Sequence, residues 1–216
     1  MLALYGHHFS SYTWKALIAL YANDTPFEFR SVDPEHPDNA AFVQAAGPHG
    51  KFPVLQDGDN VIFEATSIIE YVAKHYPGEE ILVPHDLDAA IAIRMLDQVF
   101  DNYVMNTMQG VVDEYIARPD NPNPEVIEAV KSRLHRSYAW IDGWLEYYPV
   151  GEQITLIECA AAPSLFYADW VEQIGDQYPR LKAWRAHLLG LPPVSRCVED
   201  ARPYRSYFPP GAPDRD

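Results

Sequence analysis

A cluster of hydroxyl side chains follows the first short apolar run of the chain. Ser10, Ser11 and Thr13 stand where a loop leads from that run, residues 2–5, into a helical pattern. The free N–H groups at the start of a helix, together with the helix dipole, favour a negatively charged group. The pattern therefore predicts that an anionic, reactive group binds at this helix start.

Two later segments carry groups that suit the rest of a ligand. Lys51-Phe52-Pro53 precedes a predicted hairpin, and a proline at the mouth of a strand suits a cis bond and leaves the preceding backbone free for a ligand. Residues 64–67 open the next helix, where N–H groups suit a carboxylate and Glu64 suits an ammonium group. Since Lys51 suits a second carboxylate, we expect an extended peptide with one amine and two carboxylates.

The elements that must position these groups alternate between strand and helix up to residue 76. Strand-like patterns cover 2–5, 27–32, 52–55 and 61–63, and helical patterns cover the stretch after Ser10, 37–46 and 65–76. The turn residues Asp57-Gly58-Asp59-Asn60 separate the last two strands and predict a hairpin. The predicted order is βαβαββα, in an α/β domain of residues 1–76.

Beyond Pro77 the sequence predicts only helices. Residues 77–88 read as a linker, and apolar residues at steps of three and four recur through residues 89–216. The proline-rich stretch 118–124 separates two of these helices, and Thr155 with Glu158 forms a predicted capping box. We therefore expect a second, all-helical domain.

Composition excludes several classes of function. The 216 residues hold 16 Lys and Arg against 31 Asp and Glu, a net charge of −15, which disfavours nucleic acid and anionic membrane partners. No apolar run is long enough to span a membrane, and the N-terminus does not resemble a signal peptide. Two cysteines cannot form a disulfide framework or a cysteine-based zinc site. We expect a cytoplasmic protein without a bound metal.

Four motifs in this order and spacing resemble the cytosolic glutathione S-transferase family over nearly the full chain. They are Leu4-Tyr5-Gly6…Ser10…Lys15, Gly50-Lys51-Phe52-Pro53-Val54-Leu55, the segment 64–72 beginning Glu64-Ala65-Thr66-Ser67, and the segment 155–160. The resemblance implies a thioredoxin-like N-terminal domain, an all-helical C-terminal domain and a homodimer. It also implies no cofactor, with glutathione as co-substrate, a hydrophobic electrophile as acceptor, and a role in detoxification.

Site roles follow from the resemblance, position by position. Lys51 would hold the glycyl carboxylate of glutathione, Phe52 would pair its backbone with the cysteinyl unit, and Pro53 would be a cis-proline. Glu64 and Ala65 would hold the γ-glutamyl end.

One position departs from the family pattern, which usually has serine where this chain has Ala65. The backbone N–H remains but the hydroxyl is lost, and a hydrogen bond to a charged group contributes about 1.5–3 kcal/mol. Binding would be weaker unless Thr66 substitutes.

The group that donates a hydrogen bond to the thiolate of glutathione is expected among the hydroxyls near the first helix. The loop there is most similar to that of the zeta- and theta-like serine classes of the family. A free thiol has a pKa of about 8.5, and lowering it by about two units takes roughly 2.7 kcal/mol. We expect Ser10 to be the donor, with Ser11 second and Tyr5 third, while Tyr12 and Thr13 are weaker candidates. Cys159 is the first cysteine in the chain, which disfavours the mixed-disulfide classes of the family.

Some of these candidate site residues could instead have a purely structural role. Ser10 or Ser11 could be a plain N-cap, and we favour the cap for Ser11. His7, His8 and Phe9 are expected to line the acceptor pocket or face solvent, and Tyr103 to line that pocket or belong to the core.

Three functions remain open from the sequence. The first is a transferase that conjugates glutathione to electrophiles. The second is a glutathione-dependent isomerase similar to maleylacetoacetate isomerase, which Tyr12 weakens because it stands where the zeta-like pattern has cysteine. The third is a non-catalytic module related to glutathione transferases.

Overall fold

Seven elements in the order βαβαββα open the chain in the computed structural model, which describes residues 1–216. They are β1 (Ala3–Gly6), α1 (Ser11–Ala22), β2 (Glu28–Ser31), α2 (Pro37–Ala46), β3 (Val54–Asp57), β4 (Asn60–Phe63) and α3 (Ala65–His75). The strands form one mixed sheet in the order β2-β1-β3-β4, in which only the β1–β2 pair is parallel. The predicted thioredoxin-like fold of the N-terminal part is confirmed.

The face of the sheet that α2 covers carries part of the core. Because successive side chains of a strand point to opposite faces, Ala3 and Tyr5 share a face, and they cluster with Val54 and with Val43 of α2. The ring of Tyr5 stacks on that of Phe42, with 4.3 Å between ring centroids. This packing places Tyr5 on the α2 side of the sheet.

The β3–β4 hairpin is tied to α3 through one carboxylate. Asp57 accepts hydrogen bonds from the hydroxyls of Tyr76 at 2.7 Å and Tyr71 at 2.9 Å. These bonds, that of Tyr76 first, lower the pKa of Asp57, while the same contact raises the pKa of Tyr76 to about 12. The hairpin that follows residues 51–53 is thereby anchored to the helix that opens at residue 65.

Every regular element after α3 is helical, as predicted. The elements are α4 (Leu87–Val99), a π-helical segment (Phe100–Met105), α5 (Asn106–Ala117), α6 (Pro124–Trp144), α7 (Leu156–Val171), α8 (Pro179–Gly190), α9 (Pro192–Ala201) and a 3-10 helix (Arg202–Tyr207). Proline occupies the first position of α6, α8 and α9, where its missing N–H would have had no helical acceptor. None of these helices combines the length and the apolar character that crossing a membrane requires.

The chain divides into two compact units, each made of two separate stretches of the sequence. The first unit comprises Met1–Arg94 and Gln153–Cys159, and the second comprises Met95–Glu152 and Ala160–Asp216. Within the first unit, Leu156 N donates to Leu82 O at 2.8 Å and Ile154 N donates to the carboxylate of Glu80 at 3.1 Å. The sequence ends the first domain at residue 76 and treats 77–88 as a linker, whereas these contacts hold residues 80–82 within the first unit.

The predicted capping box at the start of α7 is present. The Thr155 hydroxyl accepts from Ile157 N at 3.1 Å, and Thr155 N donates to the Glu158 carboxylate at 2.9 Å. Both side chains therefore accept from N–H groups that have no acceptor within the helix. Glu158, which is buried, serves the helix as expected.

Candidate glutathione site

Ser10 caps the first helix. Its backbone is extended, with φ −93° and ψ 125°, and its Oγ accepts from Thr13 N at 3.2 Å. A hydroxyl has two acceptor lone pairs and one donor proton, so a cap bond that uses a lone pair leaves the proton for another partner. Ser10 can therefore cap α1 and donate to an anion at the helix start at the same time.

The loop before α1 is folded tightly onto the first turn of that helix. Gly6 makes this possible, because a Cβ at Gly6 would lie only 2.6 Å from the side chain of Thr13. The Thr13 hydroxyl accepts from His7 N at 3.4 Å, and Ser10 N donates to His7 O at 2.9 Å. These contacts hold the backbone that carries Ser10 against the first turn of α1.

The two histidines of this loop have different surroundings. Burial lowers the pKa of His7 from its ordinary value of 6.5, against the opposing effect of the nearby Asp33 carboxylate. The lowered pKa favours the neutral ring, whose Nδ1 accepts from Phe9 N at 3.1 Å. The ring of His8 stacks on Phe29 of β2, with 4.2 Å between ring centroids. Both rings are partly buried rather than fully exposed to solvent.

Tyr5, the third candidate for the thiolate donor, is buried and makes its hydrogen bonds inside the protein. Its side chain is 3% exposed, and its hydroxyl donates to Gln56 Oε1 at 3.0 Å. The hydroxyl oxygen of Tyr5 itself accepts from Arg30 Nη1 at 3.0 Å. Because its single proton is used inside the protein, Tyr5 has less to offer a thiolate than Ser10 has.

The segment 50–53 presents an exposed cation beside a cis-proline. Lys51 is exposed and forms no ion pair or hydrogen bond with the rest of the chain. Gly50 holds the preceding turn with a φ of 56°, in the left-handed region that favours glycine, and a Cβ there would meet the side chain of Gln44. The Phe52–Pro53 bond is cis, the geometry that the resemblance implies.

The residue before α3 has an unusual backbone. Glu64 has a φ of 69°, an uncommon value for a residue other than glycine, and such positions often occur at binding sites. Its carboxylate is exposed and makes no hydrogen bond or ion pair within the chain. Ala65 is buried at the first helical position, where the N–H groups lack acceptors inside the helix. An acceptor for an amine and donors for a carboxylate therefore lie side by side.

A buried lysine connects the starts of α1 and α3. Lys15 Nζ donates to Thr66 Oγ1 at 2.9 Å, and α1 packs against α3. The sequence contained Lys15 in a family motif but gave it no role. The available signal was a charged residue inside the otherwise apolar stretch from Trp14 to Leu20.

Tyr103 belongs to the second unit and to its π-helical segment. Its side chain is 61% exposed, and its backbone carbonyl accepts from the Ser137 hydroxyl at 2.7 Å. The prediction that Tyr103 belongs to the core is therefore wrong, because its side chain is exposed. The chain contains no group of three or more His, Cys, Asp or Glu side chains arranged to hold a metal ion.

Comparisons with known proteins agree with this architecture. Residues 4–80 match the glutathione S-transferase N-terminal domain model, and residues 124–187 match the C-terminal domain model. Among relatives, glutathione S-transferase F6 of Arabidopsis thaliana is 25% identical over 91% of this chain and 99% of its own length. A probable maleylacetoacetate isomerase of Vibrio cholerae is 24% identical over 94% of this chain and 97% of its own length.

Solved structures show the same fold. An epsilon-class glutathione S-transferase from the housefly, Musca domestica, has a TM-score of 0.84 and 19% identity, covering 96% of this chain and 97% of its own. A glutathione S-transferase from Methylobacillus flagellatus, solved with GSH bound, has a TM-score of 0.77 and 26% identity, covering 91% of this chain and 98% of its own.

Proposed function

The chain belongs to the glutathione S-transferase family, and we propose that it binds glutathione in its first unit and transfers it to a hydrophobic electrophile. The observation that carries this proposal is the geometry of Ser10. Its hydroxyl caps α1 by accepting a hydrogen bond from Thr13 N, and its proton would donate to the sulfur of glutathione. The α1 dipole adds a second favourable interaction with a thiolate.

Two exposed charged side chains without partners in the chain support the binding mode. Lys51 would pair with the glycyl carboxylate, and the backbone of Phe52, before Pro53, would pair with the cysteinyl unit. Glu64 would accept from the γ-glutamyl ammonium group, and the N–H of Ala65 would donate to the adjacent carboxylate. Lys51 and Glu64 have no partners within the chain, so binding would not require breaking existing ion pairs.

The proposed reaction begins with loss of the thiol proton to solvent. Donation by Ser10 and the N-terminus of α1 stabilises the resulting thiolate. The sulfur then attacks an electrophilic carbon, and a carbon–sulfur bond forms as a halide leaves or an epoxide carbon–oxygen bond breaks. His7, His8 and Phe9 of the first unit are proposed to contact the acceptor.

The second candidate is a glutathione-dependent isomerase. The Vibrio cholerae relative, described as a probable maleylacetoacetate isomerase, and the zeta-like loop favour it. Tyr12 stands at the position where that loop pattern has cysteine, so the transferase ranks first.

Titration with glutathione by calorimetry, followed by a panel of electrophiles, tests the proposal. We expect binding and conjugation of at least one aryl halide or epoxide, with loss of free thiol. Conversion of an unsaturated diketo acid without consumption of glutathione would instead identify an isomerase. Binding without turnover on any compound would favour a non-catalytic module, and no binding would overturn the proposal.

We also propose that the chain acts as a homodimer in the cytoplasm, in detoxification, with boundaries near residues 76 and 89 for its two domains. The family resemblance is the basis of the dimer. Light scattering at micromolar concentration should give twice the mass of the 24.5 kDa chain. A monomer mass would contradict it.

A further inference from the structure

The side chain of Lys15 is a cation buried inside the first unit. It is 1% exposed, on a helix whose residues from Thr13 to Leu20 are all buried. Burying an ammonium group is strongly unfavourable unless hydrogen bonds and charges compensate for the lost water. A lysine kept at such a position therefore calls for an explanation beyond packing, since an apolar side chain of the same length would fill the space.

The position of its partner indicates what the cation does. Lys15 Nζ donates to Thr66 Oγ1 at 2.9 Å, and Thr66 is the second residue of α3. The preceding residue, Ala65, is where the proposed function places the γ-glutamyl carboxylate. The ammonium group thus lies one side chain behind the anion-binding end of α3.

Two positive contributions then converge on the same place. The N-terminus of α3 carries the positive end of the helix dipole, and Lys15 adds a full charge within the same partly dehydrated region. The bond from Lys15 also fixes the Thr66 side chain in the first turn of α3, directly beside the N–H groups that would meet the ligand.

We propose that Lys15 is a positioning residue for the γ-glutamyl carboxylate of glutathione. Acting through Thr66, it orders the first turn of α3 and supplies positive potential behind it. This offsets part of what the chain loses by having Ala65, which lacks a hydroxyl. The inference rests on the proposed function, because it takes glutathione as the ligand of the first unit.

Binding of two peptides to the full-length protein tests the inference. One peptide is glutathione, and the other is 4-aminobutyryl-cysteinyl-glycine, which lacks only the γ-glutamyl α-carboxylate. Calorimetry gives the ratio of the two dissociation constants for wild type, Lys15→Met and Lys15→Arg. The matched control is Lys74→Met, which removes an exposed lysine without hydrogen-bonded partners from the other end of α3.

The expected result is a selective loss. Lys15→Met should weaken glutathione binding by roughly tenfold to a hundredfold and leave binding of the shortened peptide nearly unchanged. Lys15→Arg should restore most of the preference for glutathione, and Lys74→Met should behave as wild type. A merely structural lysine would instead affect both peptides equally, and that outcome would overturn the inference.

A second pair of variants covers the case in which Lys15→Met does not fold. Thr66→Val removes the hydroxyl with little change in shape, and Thr66→Ser keeps it. Thr66→Val should lower the preference for glutathione over the shortened peptide, while Thr66→Ser should keep it. An unchanged preference in Thr66→Val overturns the inference alone, whereas wild-type protein that binds neither peptide overturns the proposed function and the inference together.

Discussion

Replacing Ser10 with alanine removes one interaction that the structure shows and one that we propose. The first is the cap bond that Ser10 Oγ accepts from Thr13 N, and the second is the proposed donation to the sulfur of glutathione. Loss of an N-cap lowers the free energy of unfolding by about 0.5–2 kcal/mol. Since the cap bond of 3.2 Å is at the long end of the usual range, we expect the lower part of that interval.

Loss of the donation should affect the thiol more than the fold. A neutral donor bonded to a charged acceptor contributes about 1.5–3 kcal/mol, which corresponds to about one to two units of thiol pKa. Turnover near neutral pH should fall roughly ten- to a hundredfold. Glutathione affinity should change much less, because Lys51, Phe52 and Glu64 are proposed to hold most of the ligand.

The assay is the ultraviolet absorbance of the thiolate in bound glutathione, followed against pH. Ser10→Thr keeps the hydroxyl and should titrate as wild type does. Asn123→Ala removes the cap of α6, where Asn123 Oδ1 accepts from Glu125 N at 2.9 Å, so it should lower stability and leave the titration unchanged. This control separates a weakened fold from a lost donor.

Two further variants identify the outcome that would refute the reasoning. Ser11→Ala and Tyr5→Phe should leave the thiol titration where it is in wild type. If Ser10→Ala leaves it unchanged and one of the others shifts it, the donor is that other residue. If all three leave it unchanged, the α1 N-terminus activates the thiol alone.

Three other predictions follow from the same structure. Because hydrogen bonds lower the pKa of Asp57, its stabilising effect is present above the ordinary pKa and disappears as pH falls below about 4. In thermal unfolding, Asp57→Asn should therefore be less stable than wild type at neutral pH, and this difference should vanish in acid. Asp59→Asn should show no such difference. Lys51→Met should weaken glutathione binding in calorimetry at least tenfold, and this loss should become smaller as the salt concentration rises. Lys74→Met, which removes another exposed lysine, should not weaken binding. Ala65→Ser should tighten glutathione binding, since it adds a donor for the carboxylate, and unchanged or weaker binding would place the carboxylate elsewhere.

Much of the fold could be predicted because local patterns and tertiary packing agree. The strand at residues 2–5 and the turn at 57–60 carry strong short-range signals, and the structure has β1 and the β3–β4 hairpin there. The return of residues 153–159 to the first unit could not be predicted, because its bonds join Ile154 and Leu156 to residues far away in sequence. The π-helical segment 100–105 has no distinguishing pattern either, since it reads as a continuation of an amphipathic helix.

The site divides in a similar way. Ser10 was predictable as a cap because a hydroxyl at a helix start is a local feature, and its role as a donor stays a prediction. The position of Tyr5 was not, since its hydroxyl is committed by Arg30 and Gln56, which come from two other strands. Lys15 was missed for the same reason, because its contact with Thr66 spans 51 positions in the sequence.

Proton release on glutathione binding is the most direct test of the central claim, that the first unit binds this peptide as a thiolate. Calorimetry of the wild-type chain in buffers of different ionisation enthalpy, at a pH about one unit below the ordinary thiol pKa of about 8.5, measures it. We predict that binding of glutathione releases close to one proton per site, and that S-methylglutathione, which has no thiol proton, binds without releasing one. Glutathione binding with no proton release, or no binding at all, would contradict the account.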